Sequence, residues 1–101
     1  MSKSMTSDLE ELGRAAAEQI AGKEAVQDVE VAVGQDLSER PAYYFSFLID
    51  QSRARQRAGL VRTRLVQKLR DDLIARGDEH YPVIRILDRT DWDRRKDAQF
   101  H

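Results

Sequence analysis

Cysteine is absent from the chain, which removes disulfides, thiolate nucleophiles and thiolate metal ligands at one stroke and fits a reducing compartment such as the cytoplasm. No apolar run approaches the roughly 20 residues needed to cross a bilayer. The stretch from Met1 to Leu12 also lacks the apolar centre of a signal peptide. A soluble protein with no membrane partner is expected. The five glycines, Gly13, Gly22, Gly34, Gly59 and Gly77, stand singly, so neither a phosphate-cradling loop nor a dinucleotide fingerprint is present. Histidine is limited to His80 and His101. No catalytic triad can be assembled around either.

The chain does have enough apolar side chain to fold. Hydrophobic residues make up 41% and charged residues 35% of its 101 residues, which suits one compact core under a strongly charged surface. Residues 1–6 read as a flexible tail and residues 7–101 as a single α/β domain. The net charge of −1 hides an asymmetry, with −6 on residues 1–50 and +5 on residues 51–101. Such halves attract each other within a fold or across a dimer, or mark an anion-binding surface.

Ser7 followed by Glu10 reads as a capping box, and Leu9, Leu12, Ala16 and Ile20 recur at helical spacing, so a helix is predicted from Asp8 to Ala21 with Gly22 closing it. At Val29 the period changes to two, and Val29, Val31 and Val33 share one face of a strand. Gly34 to Pro41 is a polar connection. Ala42 to Asp50, rich in aromatic and aliphatic residues, is a second strand pairing antiparallel with the first. A long helix follows over Arg53 to Arg76, since Ala58, Val61, Leu65, Val66, Leu69 and Leu73 fall in one arc, and Gly77 ends it. Pro82 to Leu87 is the third strand. Thr90, with Asp91 and Asp93, caps a closing turn in which Trp92 packs as a lid on the core.

The order α-β-β-α-β defines an α+β two-layer sandwich, a three-stranded mixed sheet with both helices on one face, equivalent to half of a ferredoxin-like layout. A right-handed crossover sets the third strand parallel to the second. On the second strand Tyr43, Phe45, Phe47 and Ile49 alternate with Tyr44 and Leu48, and on the third Ile84 and Ile86 alternate with Val83 and Leu87. Both sheet faces are therefore apolar. Two helices cover only one of them, so Tyr44, Leu48, Val83 and Leu87 are candidate contacts of a homodimer formed through the open face or an edge strand.

The sequence Asp78-Glu79-His80 offers metal-ligand types side by side, but neighbours on one turn seldom converge on an ion, and a solvated turn accounts for them. No metal or cofactor is expected. A second surface is the start of the long helix, where Arg53, Arg55, Arg57, Arg62, Arg64 and Lys68 place positive charge at the end whose dipole favours negative charge. Arg53, Arg57, Arg64 and Lys68 are candidate contacts for an anion or a nucleic-acid backbone. The competing account pairs these arginines with the acidic first half or lays their stems over the core edge. Arg85, Arg89, Trp92, Arg94, Arg95 and Lys96 form a further cationic candidate surface around an aromatic.

The strands "DVEVAV", "AYYFSFLID" and "YPVIRIL", in this order of elements, resemble the small cytoplasmic dimerisation domain that ends cation-diffusion-facilitator transporters. The resemblance is topological and spans most of residues 8–87. It implies dimerisation. That domain often binds metal through histidines, whereas this chain has only His80 internally, so no metal residue carries over. The stretch "RGDEHYPVIRILDRTDW" also resembles the endings of small uncharacterised bacterial proteins, which implies a partner-binding component if such proteins work with a neighbouring gene product, as toxin-antitoxin pairs do. The expected function is a non-enzymatic interaction module that dimerises through its sheet and binds a protein partner, with nucleic-acid binding through the arginines as the alternative. An enzyme whose acid and base are carboxylates gathered only by the fold is a third possibility.

Overall fold

The computed structural model describes residues 5–98. Its elements are α1 (Met5–Ala21), β1 (Val26–Gln35), β2 (Pro41–Ile49), α2 (Ala58–Ala75), β3 (Tyr81–Leu87) and α3 (Arg89–Ala98). The strands form one sheet in the order β1-β2-β3. β1 and β2 are antiparallel, with Val29 opposite Phe47, Val31 opposite Phe45 and Val33 opposite Tyr43. β2 and β3 are parallel, with Phe45 opposite Ile84 and Phe47 opposite Ile86. The α+β architecture read from residue periodicity is thus observed, with α3 added at the end.

The core lies between α1, α2 and the sheet face carrying Val29, Tyr43, Phe45, Phe47, Ile49 and Ile84. From α2 it receives Val61, Leu65, Leu69 and Leu73, all buried. From α1 it receives Leu9, Ala16, Ala17 and Ala21. These small side chains let the α1 backbone come close to the sheet. At Gly13 the approach is closest, because a Cβ there would stand 3.0 Å from the Phe45 ring. Gly22 closes α1 with φ +101°, a left-handed conformation that costs glycine nothing. The Arg55 amide donates to the Ala21 carbonyl at 3.0 Å, and a Cβ at Gly22 would stand 3.3 Å from Arg55 Nε. An arginine from the loop before α2 thereby supplies the cation that the last turn of α1 lacks.

Several boundaries differ from the sequence reading, each for a local reason. α1 begins at Met5 instead of Asp8, so Ser7 sits inside the helix and not at its N-cap; Met5 and Thr6 are helical, and residues 1–4 of the expected tail lie outside the described residues. β1 runs on through Gly34 to Gln35, which pairs with Pro41. The turn shortens to residues 36–40 because the Asp36 carboxylate accepts from the Ser38 and Arg40 amides at 2.8 and 3.0 Å. α2 begins at Ala58, leaving Arg53 and Arg55 in a loop. Asp50 causes this, since its side chain accepts from both the amide and the hydroxyl of Ser52 and its carbonyl from the Arg53 amide, a turn that competes with helix.

α3 is a ten-residue helix, longer than the expected turn. Its cap is Asp88 rather than Thr90: Asp88 Oδ1 accepts from the Asp91 amide at 2.8 Å and its carbonyl from the Trp92 amide at 2.9 Å. α3 lies on the face opposite α1 and α2, where Arg95 donates to Glu30 at 2.6 Å and its guanidinium stacks 4.4 Å above the Trp92 ring. Trp92 is 1% exposed, but it lies outside the core cluster, so it covers the opposite face of the sheet instead of forming a lid on the core. Among the described residues no helix is long and apolar enough to cross a membrane.

Candidate functional site

The most densely connected polar group gathers where α2 hands over to β3. Gly77, at φ +75°, ends α2 in a Schellman motif, with the Asp78 amide donating to the Leu73 carbonyl at 2.8 Å and the Gly77 amide to Ile74 at 2.9 Å. This turn carries the Asp78 carboxylate beneath β2. There Asp78 Oδ2 accepts from the Tyr43 hydroxyl at 2.6 Å. Asp78 Oδ1 accepts from the His80 amide at 2.9 Å and lies 2.7 Å from His80 Nδ1. The His80 and Tyr43 rings stack in parallel with centroids 4.2 Å apart.

Burial pushes the Tyr43 hydroxyl up to about 12, helped by its hydrogen bond to Asp78 and that carboxylate's charge, against a smaller opposing pull from Arg76. Burial also works to raise Asp78, but the hydrogen bonds from Tyr43 and from the amide and ring of His80 outweigh it and hold the carboxyl below its ordinary value. Asp78 is thus an ionised acceptor with both oxygens engaged. His80 Nδ1 faces that carboxylate, so a proton carried there donates to Asp78.

Beside this group opens a cavity of about 640 Å³ whose walls include Arg40 and Pro41 of the hairpin, Arg70 and Ile74 of α2, and His80 and Tyr81. Arg70 stands 5.8 Å above the Tyr81 ring. Two apolar walls are open to solvent, Ile74 at 61% and Tyr81 at 42%. The polar part of its lining is Arg40, Arg70, Asp78, Glu79 and His80. Among the described residues no group of three His, Cys, Asp or Glu side chains is placed to hold a metal ion. The Asp78-Glu79-His80 turn is therefore not wholly solvated as expected: Asp78 and His80 are half-buried against Tyr43, and Glu79 is exposed.

Exposed apolar side chains concentrate at this end of the sheet. Val33 is 53% exposed and Leu37, in the β1–β2 turn, fully so. Tyr44 and Val83, opposite one another on β2 and β3, are half-buried. The other two candidate interface residues lie at the opposite end, where Leu48 pairs with Leu87; α3 packs against these two strands. Leu48 is 2% exposed within the single chain, and Leu87 is half-buried.

The candidate anion contacts are divided between the loop before α2, which carries Arg53, and α2 itself, which carries Arg64 and Lys68 behind the N-cap Arg57. Arg53 pairs with Asp50 at 3.6 Å and Lys68 with Asp72 at 3.5 Å. Arg57 is the N-cap residue of α2 without a side-chain cap hydrogen bond. Arg64 borders a shallow cavity with Lys68, Gln19 and Asp71. The link between Tyr43 and Asp78 was not visible in the sequence, because thirty-five residues separate them; only the close spacing of Asp78 and His80 hinted at it. Comparison with family models, curated proteins and solved structures finds no match.

Proposed function

We propose that the protein is a non-enzymatic interaction module of the cytoplasm, which dimerises through the hairpin end of its sheet and presents that surface to a protein partner. The observation that carries this reading is the clustering of Val33, Leu37, Ile74 and Tyr81, four of the five exposed large hydrophobic residues among the described residues, around one end of a sheet whose other end is packed against α3. A concentration of exposed apolar side chains at one end of a sheet marks contact sites. Tyr44 and Val83 extend it along the open face. Among the described residues the outer edges of β1 and β3 have no strand beside them, which adds backbone donors and acceptors to the same surface.

Nucleic-acid binding draws less support, since Arg53, Arg55 and Lys68 have structural employment within the chain, and Arg53 and Arg55 lie in the loop before α2, off the helix that carries Arg64 and Lys68. Light scattering on the full chain from micromolar to millimolar concentration, with and without nucleic acid at low and moderate salt, tests the choice. The expected result is a dimer indifferent to nucleic acid. A monomer at every concentration, or a complex with nucleic acid that salt dissolves, overturns the reading.

A further inference from the structure

We infer that the dimer is a two-fold exchange of hairpin tips, in which Leu37 of each copy enters the cavity beside α2 of the other and Glu39 faces the partner's Arg70. The inference rests on the reading of the hairpin end as the contact surface and names what occupies it: a second copy of this chain.

Leu37 is the starting observation, since its side chain makes no use of its own fold, being 106% exposed relative to the reference state. Yet the turn that carries it is firmly built. Asp36 accepts from the amides of Ser38 and Arg40, pairs with the Arg40 guanidinium at 3.3 Å, and receives support from the Asp36 amide bonding the Arg40 carbonyl at 2.9 Å. A held turn presenting an apolar side chain to water has already lost the entropy that binding would otherwise remove.

The cavity offers the complementary surface. Its exposed apolar walls, Ile74, Tyr81 and Pro41, match an aliphatic knob, and its volume of about 640 Å³ accommodates the tip of a turn as well as one side chain. Charge agrees with shape. Among the described residues neither Glu39 nor Arg70 has an ion-pair partner, and they carry opposite signs. Arg40, the other cation at the rim, is held by Asp36, and both oxygens of Asp78 are engaged by Tyr43 and His80.

Placement closes the assembly. Arg40 and Pro41 belong both to the hairpin and to the cavity wall, so knob and hole are adjacent on one molecule. A two-fold axis between them seats both knobs together and gives a closed dimer; a knob and hole on distant surfaces would give an open chain.

Sedimentation equilibrium of the full chain tests this pairing. Leu37→Asp is expected to raise the dimer dissociation constant about thirtyfold or more while leaving circular dichroism and the melting of the dilute monomer unchanged. Glu39→Arg and Arg70→Glu should each weaken the dimer, and the two together should restore it. Leu37→Asp with unaltered dimerisation overturns the pairing. If Val83→Glu then abolishes the dimer, association through the sheet stands without the hairpin exchange. A wild-type chain that stays monomeric overturns both.

Discussion

The Tyr43 hydroxyl donates to Asp78 Oδ2 at 2.6 Å, joining the centre of the sheet to the turn that ends α2. Tyr43 is 2% exposed, so the bond lies where water competes poorly and its loss leaves a carboxylate short of one donor. Tyr43→Phe should cost about 2 kcal/mol at neutral pH, as for a hydrogen bond to a charged group. Chemical denaturation measures it, and a variant as stable as the wild type refutes the role.

The same pair sets a pH signature. Tyr43 holds its proton more tightly folded than unfolded, with the folded value near 12 and the unfolded one about 10. Its contribution is therefore complete below pH 10 and lost as pH rises towards 12. Asp78 is lowered in the fold, so its contribution is present above about pH 4 and lost as acid drives it through the folded value. Melting curves against pH should show the alkaline loss in the wild type and a smaller one in Tyr43→Phe. Identical alkaline limbs would contradict the assignment.

Gly13 makes a prediction in which two effects oppose each other. Alanine is favoured over glycine inside a helix by about 1 kcal/mol. Here the new methyl would press on the Phe45 ring at 3.0 Å, and that ring cannot retreat, being 0% exposed and stacked on Phe47. Overpacking of a held core costs about 1–3 kcal/mol. Gly13→Ala should thus lower stability by about 1 kcal/mol net, a fall in melting temperature of about 5 °C. A rise would mean that Phe45 has room to move.

How far the chain can be read without its structure follows from which forces are local. The alternation from Val29 to Val33 and the helical arc from Val61 to Leu73 are local records of burial, and those residues lie in β1 and α2 as expected, although β1 begins earlier, at Val26. The start of α2 was misplaced because the Asp50 side chain stops the chain with hydrogen bonds that apolar periodicity does not register. Residues of α3 carry no repeating pattern at all, so only Trp92 signalled that something packs there. The Tyr43–Asp78–His80 group depends on β2 and β3 lying parallel with Tyr43 opposite Pro82, a fact of register that spacing along the chain does not contain.

Trp92 gives the weakest attachment in the molecule a direct reporter. It is the single tryptophan, and it is buried outside the core cluster between the sheet and α1–α2. α3 is otherwise charged along its length and is tied down by Arg95 to Glu30. An element with so little apolar contact opens at a smaller free energy than the core. Tryptophan fluorescence should therefore shift to the red at lower urea than the loss of far-ultraviolet circular dichroism. Trp92→Ala should cost about 3 kcal/mol. Coincident transitions would show instead that α3 belongs to the cooperative core.

Arg57 is the residue at which stability and function can be separated. It occupies the N-cap of α2 with φ −64° and ψ 149°, makes no side-chain cap bond, and no acidic residue follows in the first turn. Aspartate suits this backbone conformation, accepts from a free amide, and meets the positive end of the helix dipole. Arg57→Asp should stabilise the fold by about 1 kcal/mol, seen as a higher denaturation midpoint. If dimer mass is unchanged as well, Arg57 has no part in self-association, as an interface at the hairpin end requires. If the wild type retains nucleic acid at low salt and Arg57→Asp releases it, the helix start is a binding surface whose charge is kept at the expense of stability, and the cationic reading displaces the sheet-mediated one.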